Sequence, residues 1–291
     1  MLAQSSEVII EGDDGVKLSG FHTPANSGAA PMVVLIHGWE GSAASQYILS
    51  CAANLWQAGY GIFRLQLRDH GDSHHLNPEV FHSCRLEETA EAVRQIALRY
   101  NPPQLFLGGF SLGGNFSLRI AARAPQINLK LDGICAVSPV IDPAPTLTHM
   151  EKGPAIYREY FLKKWRRSLR KKHAAFPDSI DISVLKTHRG LIELTRVLVE
   201  TVGGFDSVEA YFDGYSVRDD RLAPLTSPTV ILSAIDDPIV PDGPLVELPP
   251  HPHIRVERRA YGGHCGFLNN LHTESYADHF MLDWFNRHRT T

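Results

Sequence analysis

The sequence predicts an α/β fold with a mostly parallel central sheet and helices on both of its faces. Apolar runs of strand length alternate with segments of helical periodicity over most of the 291 residues, which is the pattern of helices wound around a parallel sheet. The run at 31–37 is apolar at successive positions, as expected of a strand buried on both faces. Residues 141–222 contain helical patterns without a convincing strand, which predicts a helical insertion.

The elements can be justified in chain order. Residues 8–11 and 16–21 are short strands separated by an Asp-Gly turn, which is a hairpin signal. Gly59 and Pro102 follow the first two helical patterns and are residue types that end helices. Further strands are predicted at 31–37, 61–67, 104–109, 131–139, 229–235 and 253–260, and helices at 45–58, 86–100, 110–124 and 275–289, the last with Phe280, Met281, Trp284 and Phe285 inward.

We expect one domain over residues 1–291, with its core in 1–140 and 223–291 and a helical cap at 141–222. An apolar fraction of 43% and a charged fraction of 21% are ordinary for a globular protein. The net charge of −4 gives no reason to expect a nucleic-acid partner.

The sequence also predicts a cytoplasmic protein. Its longest apolar stretch is too short to cross a bilayer, and the first residues lack the pattern of a secretory signal. The four cysteines lie far apart and form no CxxC pair, which fits reduced and mostly buried thiols. They are Cys51, Cys84, Cys135 and Cys265.

The most informative motif is the G-x-S-x-G sequence from Gly109 to Gly113, centred on Ser111. A predicted strand precedes it and a predicted helix follows, which is the context of a nucleophile elbow. The elbow needs glycines because side chains at these two positions would clash with the neighbouring strand and helix. We therefore expect Ser111 to be a nucleophile at the top of the sheet.

A serine nucleophile needs a base, and the base needs an acid that orients it. In folds with this elbow, the acid and then the histidine follow the serine along the chain. Asp236 and Asp237 come directly after the strand at 229–235, and His264 lies in a glycine-rich loop after the strand at 253–260. The D-x-x-V-P pattern begins at Asp237, which favours it as the acid. Asp236 is the alternative, or it bonds backbone amides of its own loop.

Two backbone amides are expected to bind the oxyanion of the tetrahedral intermediate. The amide of Leu112 follows the nucleophile and begins a helix. The second donor should come from the loop after an earlier strand. The HGWEGS segment follows the strand at 31–37, and its glycines let the backbone approach the site, so the Trp39 amide is the natural donor.

Two other segments have competing interpretations. The run 68–75 offers His70, Asp72, His74 and His75 to a metal, but in the order H-x-D-x-H-H rather than the H-x-H-x-D-H of metallo-hydrolases. We prefer a loop in which Asp69 and Asp72 bond backbone amides, with no metal.

The insertion carries an apolar stripe of Tyr157, Tyr160, Phe161, Trp165 and Leu169, surrounded by Lys163, Lys164, Arg166, Arg167, Arg170, Lys171 and Lys172. A basic amphipathic helix can lie on an anionic membrane or meet an acidic partner. A solvated charged face above a stripe that packs on the body is the more common arrangement, and we favour it.

The segments HGWEGS, RDHGDSHHLN, GFSLGGN, DDPIVP and GGHCGF, in this order, resemble the α/β-hydrolase superfamily and, within it, the YheT-like branch of expected esterases and acylglycerol-type hydrolases. The resemblance runs from about residue 8 to residue 287. It implies the α/β-hydrolase fold, a Ser111–Asp237–His264 triad, and Trp39 and Leu112 as oxyanion donors. Dehalogenases and epoxide hydrolases of this superfamily carry a carboxylate at the position of Ser111.

The sequence therefore predicts a serine hydrolase that cleaves a small-molecule carboxylic ester through an acyl-enzyme, of carboxylesterase or acylglycerol-lipase type. No cofactor or metal is needed, and the cap would cover the site and shape the acyl pocket. A thioesterase or amidase would use the same groups. From another class, a catalytically silent binding or scaffold protein could use the basic cap helix as its interaction surface.

Overall fold

A computed structural model describes residues 1–26, 28–268 and 275–290 of the chain. Within them, one eight-stranded sheet has the order β1-β2-β4-β3-β5-β6-β7-β8. The strands are β1 (Ser6–Glu11), β2 (Lys17–Thr23), β3 (Met32–Ile36), β4 (Gly61–Leu65), β5 (Leu105–Phe110), β6 (Gly133–Val137), β7 (Thr229–Ala234) and β8 (Ile254–Arg259). β1 and β2 form the predicted hairpin, and β2 is antiparallel to β4. All other neighbouring strands are parallel, which confirms the predicted mostly parallel sheet.

Helices cover both faces of this sheet, as predicted. α1 (Gln46–Gln57) and α10 (Tyr276–His288) pack together on one face, and α2 (Leu86–Tyr100) and α3 (Leu112–Arg123) on the other. The apolar run of β3 serves both cores, because successive side chains of a strand point to opposite faces. Val33 and Leu35 belong to the first core, and Val34 and Ile36 to the second.

The last helix turns its predicted apolar face toward the core. Met281 and Phe285 are fully buried, whereas Phe280 and Trp284 are only partly covered. Phe280 and Trp284 both still pack against the core, so the predicted inward face is confirmed, with Met281 and Phe285 at its centre. Each of the two partly covered residues lies one position before a fully buried residue, and the helical turn of 100° per residue places it at the edge of the buried face of the helix.

The described segment between β6 and β7 is helical and contains no strand. Its helices are α4 (Pro143–Lys152), α5 (Ala155–Ala175), α6 (Val184–Thr187), α7 (Leu191–Thr201) and α8 (Val208–Tyr215), and a short α9 (Gly243–Val246) follows β7. The rings of Phe161 and Trp165 on α5 pack on Trp39, with centroids 5.4 and 5.1 Å away. We retain 141–222 as the predicted bounds of a cap inserted in a single domain.

The basic side chains of α5 are not simply a solvated face. Lys164 donates to the carbonyl of Glu40 at 3.0 Å, Lys171 to that of Gly71 at 2.9 Å, and Lys172 to the Asp69 carboxylate at 2.8 Å. These bonds tie the helix to the loops that follow β3 and β4.

The apolar stripe of α5 divides as well. Phe161, Trp165 and Leu169 pack against the core, whereas Tyr157 and Tyr160 are exposed. The expected single buried stripe is therefore wrong for these two tyrosines, which lie at the end of α5 nearest its N-terminus.

No helix among the described residues is both long and apolar enough to pass through a bilayer. All four cysteines are free, with Cys51, Cys135 and Cys265 buried and Cys84 partly buried.

A buried ion pair anchors the loop after β4. The guanidinium of Arg68, whose side chain is 1% exposed, binds the Glu88 carboxylate of α2 with nitrogen–oxygen distances of 2.6 to 3.1 Å. This pairing compensates two charges that would otherwise be costly inside the protein.

We expect Arg68→Met to lower the free energy of unfolding by about 3–5 kcal/mol, because it leaves the buried Glu88 carboxylate with only a longer contact of 3.8 Å to Arg85. Arg123→Met is the matched control, since Arg123 pairs with Glu87 at the surface and exposed pairs contribute about 0–1 kcal/mol. Urea unfolding of both variants measures the difference. Equal losses would contradict a special role for the buried pair.

Candidate active site

Ser111 stands on a sharp turn between β5 and α3. Its backbone angles are φ 54° and ψ −119°, in a region that non-glycine residues rarely occupy. Its amide donates to the carbonyl of Val137 on β6 at 2.8 Å, and its carbonyl accepts from Asn115 at 3.0 Å. Phe110 still belongs to β5, so the helix begins two residues later than predicted. Ser111 thus lies at the carboxyl edge of the sheet.

The two flanking glycines allow this turn. A Cβ atom at Gly109 would lie 2.1 Å from the carbonyl oxygen of Gly113, and one at Gly113 would lie 2.2 Å from that of Ile36. Both distances are far below van der Waals contact, so α3 can approach β3 and β5 only where these positions lack side chains. This close approach is the steric reason, predicted from the motif, for glycine at both positions.

His264 and Asp237 are brought together from the ends of two neighbouring strands. The Nδ1 atom of His264 lies 2.9 Å from Oδ2 and 3.1 Å from Oδ1 of Asp237. The Oδ1 atom also accepts from the amides of Ile239 at 2.8 Å and Val240 at 3.0 Å. Asp237 is therefore held by its own loop while it binds the Nδ1 side of the imidazole, and Nε2 of His264 lies on the opposite side of the ring.

Asp236 has a different set of partners. Its Oδ1 atom accepts from the amides of Gly262 and Gly263, both at 2.9 Å. We expected Asp236, if it was not the acid, to bond amides of its own loop, and this expectation is wrong. It holds the loop that carries His264, because parallel neighbours β7 and β8 end side by side and the two loops meet there.

The environment of His264 favours its charged form. Burial lowers the pKa of the imidazole, but the neighbouring Cys265 sulfur and the hydrogen-bonded Asp237 carboxylate more than offset this effect. The pKa of His264 is therefore raised above its ordinary value. A proton that arrives on Nε2 is stabilised by the carboxylate on the other side of the ring.

Two backbone amides near Ser111 are free of protein partners within the described part of the chain, those of Trp39 and Leu112. Both residues line one pocket together with Ser111. The neighbouring amide of Gly38 is occupied, because it donates to the hydroxyl of Tyr47 at 3.0 Å. Within the described residues, the two oxyanion donors predicted from the sequence therefore have no hydrogen-bond partner in the protein.

Buried His37 fixes the turn that carries Trp39. Its Nδ1 atom lies 2.8 Å from the carbonyl of Gly38, and its Nε2 atom accepts from the amide of Leu67 at 3.2 Å. Burial lowers the pKa of His37 to about 3, so the ring is neutral at neutral pH. It joins the ends of β3 and β4 and leaves no ring nitrogen for chemistry.

Two pockets meet at Ser111, Trp39 and Phe161. The cap pocket lies between the core and the helices of the insertion and holds about 960 Å³ of space, part of it open to solvent. Its walls are mainly apolar and include Leu147, Met150, Leu198, Val199 and Ile239.

The second pocket holds about 1510 Å³, also partly open, and most of its lining surface is apolar. We call it the polar pocket because it also contains charged and hydroxyl groups near Ser111. It contains His264, Lys164, Tyr47 and the hydroxyls of Ser45 and Ser50. An elongated molecule that occupies both pockets would therefore pass beside Ser111.

Sequence reasoning missed three contributors to this arrangement. Tyr47 falls in the predicted helix at 45–58 without a predicted role, yet its hydroxyl fixes the Gly38 amide. Phe161 and Trp165 were recognised as a stripe, but not as the partners of Trp39. A phenol on an otherwise apolar helix face beside a glycine-rich loop is the only signal that the sequence offered for Tyr47.

Hydrogen bonds and an ion pair within the protein hold the loop at 68–75. Among the described residues, no three His, Cys, Asp or Glu side chains are grouped to hold a metal ion. His74 bonds the Ser168 hydroxyl at 2.8 Å, and Asp69 accepts from the Phe81 amide at 2.8 Å. Asp72 pairs with Lys171 rather than with a backbone amide, so that part of the expectation is wrong.

We expect Gly113→Ala to destabilise the fold by about 1–3 kcal/mol or more, because the new methyl group overlaps the Ile36 carbonyl. Gly243→Ala is the control, since nothing lies within 4 Å of a Cβ atom there, and its effect should stay within about 1 kcal/mol. Thermal and urea unfolding measure both. A Gly113→Ala protein as stable as the control would show that α3 can move away from β3.

Comparison with known proteins agrees with this geometry. A family model described as alpha/beta hydrolase fold matches residues 31–176. YheT of Escherichia coli (strain K12), which is named as an expected esterase, is 26% identical, over 93% of this chain and 81% of its own. Phospholipase ABHD3 of Bos taurus is 20% identical, over 83% of this chain and 59% of its own.

A solved structure of the esterase Pf2001 from Pyrococcus furiosus superposes with a TM-score of 0.63 at 15% identity, over 97% of this chain and 92% of its own. This likeness concerns the fold. Together with the matching family model and the similarity to YheT, it leads to one conclusion: the chain belongs to the α/β-hydrolase fold family, in its YheT-like branch.

Proposed function

We propose that this protein is a serine hydrolase that cleaves carboxylic esters, with Ser111 as nucleophile, His264 as base and Asp237 as the acid that orients it. The observation that carries the proposal is the hydrogen bond between His264 and Asp237, with His264 lining the same pocket as Ser111. A serine becomes an effective nucleophile only beside such a base. Relatives named as an esterase and a phospholipase support an ester as the substrate.

In the proposed reaction, His264 takes the proton of the Ser111 hydroxyl while its oxygen attacks the ester carbonyl. The amides of Trp39 and Leu112 bind the oxyanion of the tetrahedral intermediate, and each such donor typically contributes about 3–4 kcal/mol. His264 then gives its proton to the departing alcohol, which leaves an acyl-enzyme. Water, activated by the same histidine, releases the acid. The sequence of steps needs no metal or cofactor.

The cap pocket supports an apolar acyl group as one half of the substrate. Its walls are built from α4, α7 and α8 of the insertion as well as from the core, so the cap sets its length. The polar pocket on the other side would take the alcohol half. An amide or thioester could use the same groups, and direct comparison of matched substrates decides between them.

The test is hydrolysis of p-nitrophenyl esters with acyl chains of increasing length, with Ser111→Ala as the control. We expect an optimum at an intermediate or long chain, because the walls of the cap pocket are mainly apolar, and at least a thousandfold loss in the variant. A fluorophosphonate probe should label the wild type and not Ser111→Ala. Folded wild-type protein that is neither labelled nor active would overturn the proposal and favour a binding protein.

The two aspartates should differ when each is replaced by asparagine. Asp237→Asn should lower kcat on the order of 10⁴-fold, because the amide no longer stabilises the imidazolium and favours the wrong tautomer. Asp236→Asn should have little effect, since the amide oxygen can still accept from Gly262 and Gly263. Asp236→Ala should cost between about 10- and 100-fold through displacement of the His264 loop. The reverse ranking would make Asp236 the acid.

The pH profile should report the raised pKa of His264. A raised pKa keeps the imidazole protonated, and therefore inactive as a base, to higher pH. The acidic limb of kcat/KM should then lie above the ordinary histidine value of about 6.5. In Asp237→Asn the limb should move to lower pH, because one cause of the rise has been removed. A wild-type limb below 6 would contradict this reading of the site.

A further inference from the structure

One face of α5 remains exposed after the helix has packed on the core. Ile156, Tyr160, Lys163, Arg167 and Arg170 follow one another at spacings of four, three, four and three residues. This spacing places them in one line along a helix. All five are exposed, with Ile156 at 74% and Tyr160 at 51%. We call this line the outer face of α5.

The outer face carries positive charge that the protein does not use. Lys164, Lys171 and Lys172 are bound to loops of the core. Among the described residues, by contrast, Lys163, Arg167 and Arg170 have no carboxylate within ion-pair distance. Two exposed acids lie beside this line, and each pairs with a basic side chain outside it: Glu159 with Arg158 and Asp72 with Lys171. The cations therefore form a local positive surface on a chain whose net charge is −4.

The apolar end of the outer face reaches the opening of the site. Tyr160 lines the polar pocket that contains Ser111 and His264. Leu268, which is 66% exposed, lines the same pocket. Ile156 lies one helical turn before Tyr160. Two exposed side chains, Tyr160 and Leu268, thus border the pocket, and Ile156 extends the apolar end by one turn, while the cations follow in the other direction along the helix.

We propose that the outer face of α5 docks on an anionic lipid surface and presents the entrance of the Ser111 pocket to that surface. Basic side chains near an anionic leaflet contribute about 1 kcal/mol each, and exposed apolar side chains gain by entering the lipid interface. An acidic protein would match the charge alone. A lipid surface matches both the positive charge and the exposed side chains Tyr160 and Leu268 of the polar pocket. That pocket meets the apolar cap pocket at Ser111.

The inference extends the proposed ester hydrolysis. Only its consequence for turnover rests on that proposed function. Docking itself can be measured without any reaction. A catalytically dead Ser111→Ala protein should bind lipid as well as the wild type does, so failure of docking and failure of hydrolysis give separate results.

The experiment is co-sedimentation of the full chain with vesicles of phosphatidylcholine, with and without added phosphatidylserine, at low and high salt. We expect binding only to the vesicles that contain phosphatidylserine, and weaker binding as salt screens the charges. The double variant Lys163→Glu/Arg170→Glu should weaken vesicle binding about 30-fold or more. This factor follows from about 1 kcal/mol for each lost cation and a tenfold change in the binding constant per about 1.4 kcal/mol. The matched control of this double variant is Arg99→Glu/Arg287→Glu, two exposed arginines that line neither pocket.

A second pair of variants tests the apolar end. Ile156→Glu should reduce vesicle binding several-fold, whereas Leu98→Glu, at an exposed leucine of α2, should not. Both Ile156→Glu and the Lys163/Arg170 variant should hydrolyse a soluble short-chain ester at the wild-type rate. They should lose turnover on an ester carried in the anionic vesicles. This split distinguishes docking from damage to the fold or the site.

Three results would overturn the inference. Wild-type protein could fail to bind phosphatidylserine vesicles at low salt. The control double variant could lose binding as strongly as the Lys163/Arg170 variant. Binding to soluble polyglutamate without binding to vesicles would assign the outer face to an acidic protein instead.

Discussion

The close approach of α3 to β3 and β5 is the constraint on which this site depends. Without side chains at Gly109 and Gly113, the helix lies so near the strands that Ser111 is forced to φ 54°. Such a conformation costs on the order of 1–3 kcal/mol and persists only where surrounding packing imposes it. This turn places the serine at the edge of the sheet, and among the residues that the structure describes the Leu112 amide beside it has no partner.

Trp39 connects the core with the cap. Its backbone lies in the turn after β3, with its amide free beside Ser111, and its ring packs between Phe161 and Trp165 of α5. The three lysines of α5 that bind the loops after β3 and β4 strengthen the same junction. Movement of α5 would therefore disturb the turn that carries Trp39, so the shape of the cap pocket and the position of this amide are physically coupled.

Much of this arrangement could be anticipated from local patterns. The alternation of apolar runs and helical stretches predicted the sheet and its helices, and the paired glycines around Ser111 predicted the turn. Chain order and parallel strand ends indicated that Ser111, Asp237 and His264 would share one edge of the sheet. Whether they act as a catalytic triad stays a proposal. Errors arose where a side chain has more than one available partner, as for Asp72, which pairs with Lys171.

The amino-acid sequence by itself determined the elements, their order and the chemistry available at strand ends, because periodicity and glycine placement act over a few neighbouring residues. Only the tertiary structure decided which loops meet. Asp236 bonds the loop of His264, 26 and 27 residues away, and Tyr47 occupies the Gly38 amide. The tertiary structure also decided which cations of α5 bind the core and which stay exposed. Such choices depend on the distance between segments that are remote in the chain, and no local pattern encodes that distance.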